Sequence, residues 1–169
     1  MLYWPTEVKT MNGKNQFSTD SLDYFVDSLD NYISGEQIYS IQINPEVESI
    51  INLETVELES LTPEECCEKA YVLYGYCHYV QSISNQHTVK LNWCEKQLGM
   101  IVSKQASQFD KYTKWEQKYY SVIDGDEFAK KLFEVKLAAE SRVMWLDNKV
   151  RDLRRMADSL LELSRRKSG

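Results

Sequence analysis

Four lysines recur along one stretch of this chain, Lys104, Lys111, Lys114 and Lys118, and four aromatic residues interleave with them, Tyr112, Trp115, Tyr119 and Tyr120. At separations of seven, three and four residues, the lysines share one face if the stretch is a single helix. Cations for phosphates alternating with rings for bases is the composition that holds single-stranded nucleic acid. Stacking contributes about 1–3 kcal/mol per base, and each neutralised phosphate adds a salt-dependent increment. The same spacing also fits a solvated lysine face lying over a packed seam of Phe109, Tyr112 and Tyr119. Both readings fit the residue types.

Other chemistry is thin. The only histidines are His78 and His87. Cys77 and His78 are neighbours, and on a helix adjacent side chains diverge by about 100°, so they form no nucleophile–base pair. Cys66, Cys67, Cys77 and His78 lack the paired CxxC spacing of a zinc site. Asp124, Asp126 and Glu127 gather three carboxylates in one turn but do not follow the calcium-loop pattern, and a metal-dependent nuclease needs further carboxylates from elsewhere. No glycine-rich phosphate loop or nucleophile motif is present. The expectation is a binding protein, not an enzyme, with no cofactor and no metal. Arg151, Arg154 and Arg155 offer either a second phosphate-contacting face or helical ion pairs with Asp147, Asp152 and Asp158. Arg165, Arg166 and Lys167 suit the negative end of a helix dipole.

The elements that position these residues are helical. No proline follows Pro63, which leaves 106 of the 169 residues without a helix breaker of that kind. Thr62-Pro63-Glu64-Glu65 combines an N-cap, a proline at the first helical position and a capping-box glutamate. The helical pattern runs from there to Val122. Unbroken, it would be about 90 Å long, so an interruption is expected at Ser82–His87, with Gly99 a second soft point. An apolar seam follows at 3/4 spacing through Leu91, Cys94, Leu98, Ile101/Val102, Phe109, Tyr112 and Tyr119. Asp124-Gly125 reverses the chain, glycine tolerating a positive φ. A second seam then runs from Phe128 through Leu132, Val135, Ala139 and Val143 to Leu160. The expected fold is mostly α: a long antiparallel, coiled-coil-like helical hairpin, with arms at about 88–122 and 127–166, behind a small mixed N-terminal region. Within the second seam, Leu146, Val150, Leu153, Ala157 and Leu160 are the candidate oligomer interface, and they equally suit packing inside the hairpin.

The N-terminal part divides into an irregular arm over 1–20, a helix over 19–33 ended by Gly35, and a β-favouring run from Ile38 to Ile43 stopped by Asn44-Pro45. Residues 46–60 suit a short helix or an extended stretch. The boundaries expected are 1–61 for the acidic region and 62–169 for the hairpin. Charge follows a similar division. Residues 1–69 carry 3 Lys+Arg against 14 Asp+Glu, net −11, and residues 70–169 carry the remaining 17 against 12, net +5. A whole-chain charge of −6 is unusual for a nucleic-acid binder, and a basic helical segment repeated by self-association offsets it. No apolar run is long enough to span a membrane, and the N-terminus lacks the pattern of a signal peptide. Cys66, Cys67, Cys77 and Cys94 make a poor disulfide framework and fit a reducing cytosol. Eleven tyrosines against five phenylalanines supply rings with a polar edge, suited to interfaces as well as to helix shoulders.

Lys118-Tyr119-Tyr120-Ser121, followed by Asp124-Gly125-Asp126-Glu127-Phe128, resembles the small recombination mediators of tailed phages, the UvsY type of the T-even phages. Members of that family have a basic helix ending in a Tyr-Tyr pair, a Gly/Asp turn and a long C-terminal helix. The resemblance spans about residues 66–166. It departs from the family where a Lys/Arg pair ahead of the Tyr-Tyr is tied to DNA binding, because Glu116 and Gln117 stand there between Lys114 and Lys118. The resemblance implies a non-enzymatic protein of the host cell cytoplasm that binds single-stranded DNA and assembles as a ring-like homo-oligomer. It would help load a RecA-type recombinase onto DNA coated by a single-strand-binding protein. The alternative is a coiled-coil structural or assembly adaptor of a phage that binds no nucleic acid.

Overall fold

The computed structural model describes residues 19–169, with side chains from residue 26 onward. The irregular arm expected over 1–20 lies almost wholly outside the described residues. The chain divides into two compact units, Met1–Ser40 and Ile41–Gly169.

In the first unit, α1 spans Thr19–Gly35. Its end is closed by the backbone. Gln37 takes the left-handed conformation at φ 51°, the Gln37 amide donates to the Ser34 carbonyl (3.2 Å), and the Ile38 amide donates to the Ile33 carbonyl (3.1 Å). This is a Schellman closure with glutamine where glycine is usual. Gly35 is the last helical residue and does not supply the left-handed position. The strand expected over Ile38–Ile43 does not form, and the described residues contain no strand. The amide of Ile38 is committed to the helix end, and a β-favouring run without a partner strand gains nothing from extension.

In the second unit, residues 46–60 resolve into two short helices. The first, α2, spans Pro45–Ile51 and is capped by Asn44, whose Oδ1 accepts from the Val47 amide (2.7 Å). The second, α3, spans Thr55–Ser60 and starts with a Glu54/Glu57 capping box. Val47 and Ile50 are buried in the same core as Ala70, Leu73 and Leu153. The unit boundary therefore falls at Ser40/Ile41 and not at 61/62, because residues 41–61 complete the hairpin core.

Helix α4 spans Pro63–Gln105 and opens on the expected box. Thr62 Oγ1 accepts from the Glu65 amide (3.2 Å), and the Thr62 amide donates to Glu65 Oε2 (2.7 Å). The backbone hydrogen bond from Thr62 holds the Glu65 carboxyl below the usual carboxylate range. The helix does not break at Ser82–His87 or at Gly99. Ser84 is buried and donates to Asp147 Oδ1 (2.7 Å), and Thr88 donates to the Ser84 carbonyl (3.0 Å). With these hydroxyls partnered, the weak propensity of the stretch is overridden by packing. The interruption comes later. A 3₁₀ turn at Ala106–Gln108 leads to an extended Phe109, and Asp110 Oδ1 accepts from the Tyr112 amide (2.7 Å) in a local turn. Helix α5 follows at Trp115–Gly125 and α6 at Glu127–Ser168. Gly125 closes α5 without a left-handed φ. The break is made by Asp126, extended at φ −127°, whose Oδ1 accepts from the amides of Phe128 (2.9 Å) and Ala129 (3.0 Å).

Helices α4 and α6 pack antiparallel as a hairpin. Cys67 meets Ser164, Tyr74 donates to Asp158, Ser84 to Asp147, and Lys136 pairs with Glu95 at 3.4 Å, so partner numbers fall as α4 ascends. The hairpin's first arm therefore begins at Pro63 rather than near 88, and it ends at Gln105. On α4 the buried positions Cys66, Ala70, Leu73, Cys77, Val80 and Ser84 alternate by four and three, a coiled-coil repeat. On α6 the seam begins at Ala129 and Leu132. Phe128 and Val135, expected in it, are 62% and 43% exposed. At the open end, Lys167 donates from Nζ to the carbonyls of Glu59 and Leu61 (both 2.6 Å) and of Leu58 (3.2 Å). Lys167 thus ties the end of α3 to α6, beyond any role at its own helix terminus.

The cysteines show the packing directly. Cys67 is exposed, while Cys66, Cys77 and Cys94 are buried, and burial pushes the Cys77 and Cys94 thiols up. Under native conditions a maleimide is expected to label one of the four thiols rapidly, at Cys67, and the rest only after urea. Rapid native labelling of a second cysteine, located by peptide mass, would contradict the seam.

Candidate nucleic-acid interface

The residues expected to touch nucleic acid lie at the closed end of the hairpin, but not on one helix. Lys104 sits in the last turn of α4, Lys111 in the connecting turn, Lys114 at the N-cap of α5, and Trp115, Lys118, Tyr119 and Tyr120 on α5 itself. The single lysine face is therefore replaced by a broken path across three elements, because Asp110 turns the chain where a continuous helix was expected.

Local geometry separates these residues into two groups. Lys111 and Tyr112 form a cation–π pair, with Nζ 4.8 Å from the ring centroid, and Tyr112 is 81% exposed. Lys114 and Trp115 stand next to one another at the start of α5, both exposed. These four present charge and ring faces to solvent. Tyr119 belongs to the interior. It packs against the core of Cys94, Leu98, Ile123, Ala129 and Leu132, and burial pushes its phenol up. Tyr119, Tyr120 and Phe133 form a trio of edge-to-face rings at 5.5, 6.4 and 6.3 Å between centroids. The Tyr-Tyr pair thus anchors α5 on α6, with Tyr120 still 60% exposed and Lys118 half-buried beside it. Of the packed seam weighed from sequence, Tyr119 packs, Phe109 is half-buried and Tyr112 does not pack.

No family model, curated protein or solved structure matches this chain.

The candidate oligomer residues Leu146, Val150, Leu153, Ala157 and Leu160 are all buried in the chain's own core with Leu73, Cys77 and Val80. Their apolar area is already covered by α4 and the residues 41–61, so the self-association seam expected there is closed. Arg151, Arg154 and Arg155 border an open hollow of about 300 Å³ with Gln81, Asp147 and Asp158. Of the two readings of these arginines, the ion pairs with Asp147, Asp152 and Asp158 do not form among the described residues. Asp158 accepts from the Tyr74 hydroxyl and Asp147 from Ser84, and ion pairs of α6 within the described residues include Lys136–Glu95, Arg165–Glu162 and Arg166–Glu162. Because its hydroxyl donates to the Asp158 carboxylate, Tyr74 has its phenol pushed up by that hydrogen bond. In the acidic turn, Asp126 is committed to capping α6, and the described residues contain no group of three His, Cys, Asp or Glu arranged to hold a metal ion. No helix among the described residues is long and apolar enough to cross a membrane.

Sequence reasoning missed one cationic cluster. Arg142 and Lys149 both lie over the Trp145 ring, at 5.3 and 5.7 Å from its centroid, and burial pushes the Arg142 guanidinium down. The spacing of Arg142, Trp145 and Lys149 by three and four residues is the signal that was available.

Proposed function

We propose that this protein is a non-enzymatic single-stranded DNA-binding recombination mediator, acting in phage recombination and repair in the host cell cytoplasm. In this reading it helps load a RecA-type recombinase onto DNA covered by a single-strand-binding protein. The observation that carries the DNA part is the pair of exposed cation–ring neighbours at the hairpin tip, Lys111 with Tyr112 and Lys114 with Trp115. Phosphates attract the ammonium groups and any base stacks on the rings, so the surface suits a single strand without sequence preference. The recombinase and ring-assembly parts rest on the sequence resemblance.

The test is fluorescence anisotropy of a labelled single-stranded oligonucleotide at two salt concentrations. Binding is expected to weaken with salt, with a logarithmic slope of about −0.7 for each phosphate neutralised. A folded protein that leaves the anisotropy unchanged at low salt would overturn the proposal. The second reading, an adaptor without nucleic acid, is favoured by large apolar residues exposed along α4, among them Tyr71 (79%), Val89 (69%) and Trp93 (54%).

A further inference from the structure

Helix α4 is apolar on two opposite sides. One side, Cys66 through Val102, is buried in the hairpin. At about 100° per residue, Tyr71, Tyr79, Val89, Trp93 and Met100 fall on the other side, and all five are exposed. An apolar stripe of this length along a helix marks an interaction surface. Charge on that outward side is polarised along the helix. Glu64 and Glu68 lie at its beginning and Lys96 and Lys104 towards its end, all exposed and none in an ion pair within the described residues.

We infer that the outward side of α4 docks against the same side of α4 in a second copy of this chain, antiparallel about a two-fold axis at Gln86. This deepens the self-association part of the proposed function; it takes Lys104 from the candidate nucleic-acid path and leaves the Lys111–Trp115 surface free. An isologous contact must be self-complementary, and this face is. With the axis at Gln86, Glu68 of each copy faces Lys104 of the other, and Tyr79 faces Trp93. A parallel arrangement would instead set glutamate against glutamate and lysine against lysine. Gly75, on the same side, has nothing within 4 Å of where a Cβ would stand, so the partner helix can approach closely there. The contact from Glu68 to Lys104 is about 55 Å long and about 10 Å wide, burying about 1,100 Å² over both copies, enough for a specific dimer of modest affinity. Because such a contact closes at two copies, any larger ring would be assembled from dimers through another surface. The two hairpin tips of the dimer point in opposite directions.

Sedimentation equilibrium of the full chain, without DNA, tests this. The mass is expected to rise towards twice that of one chain across the micromolar range. Val89→Glu with Trp93→Glu should hold it at one chain with unchanged helicity, both residues being exposed in the single chain. Glu68→Lys should weaken the dimer, and adding Lys104→Glu should restore it. For register, Gln86→Cys in a Cys67→Ser background should oxidise to a covalent dimer. Ser103→Cys should not, its two copies lying about 50 Å apart. A single-chain mass at every concentration, a dimer indifferent to Val89→Glu/Trp93→Glu, or cross-linking at Ser103→Cys would overturn the proposal. Loss of DNA binding with the dimer intact, or the reverse, separates this inference from the DNA reading.

Discussion

Leu146→Ala is expected to destabilise the folded chain by about 3–5 kcal/mol in urea unfolding followed by helicity. Leu146 is fully buried, in a cluster with Leu73, Cys77, Val80 and Val150. Truncation removes the transfer free energy of three carbons and leaves a cavity. Two stiff helices held in register at both ends cannot collapse into that cavity: Lys167 ties the open end to α3, and the Tyr119–Tyr120–Phe133 rings fasten the tip. Val135→Ala serves as the control. It removes a similar group from α6 at a position 43% exposed, and an effect within about 0.5 kcal/mol is expected. Equal losses at the two sites would mean that α6 faces α4 in a different rotation.

Tyr112→Ala combined with Trp115→Ala is expected to lower single-stranded DNA affinity by about 2–6 kcal/mol, for two stacked bases. Lys111→Ala with Lys114→Ala should act differently, reducing the salt slope by about 1.4 for two phosphates lost. All four side chains are exposed and lie in the turn or at the first residues of α5, so helicity should be unchanged in both variants. Anisotropy across a salt series distinguishes the two effects. Full affinity in the aromatic variant would remove stacking from the site. An unchanged slope in the lysine variant would move the phosphate path elsewhere, with the exposed Arg151, Arg154 and Arg155 the next surface to examine.

Local signals in the chain translated well into structure. The Thr62–Glu65 box and the α1 segment depend on hydrogen bonds within four residues, and the sequence displays both partners side by side. The hairpin was legible too, because 3/4 spacing over this length admits few other arrangements. What was not legible required knowing a distant partner. Ser84 looks like a helix breaker until Asp147, 63 residues later, accepts a hydrogen bond from its hydroxyl. Leu146 and Val150 look like an assembly seam until Leu73 and Val80 are known to cover them. The lysine face dissolved for a local reason that spacing conceals: Asp110 offers the backbone an alternative to the helix. The outward stripe of α4 carries the same spacing as the seam on the other side, so spacing alone does not separate the two.

The most direct test of the central claim is photocrosslinking of an iodouracil-substituted single-stranded oligonucleotide to the intact protein, followed by peptide mapping. Adducts on Tyr112, Trp115 or Tyr120, within residues 111–120, are the predicted result. Adducts confined to other helices, or none from an oligonucleotide that binds to saturation, would contradict it.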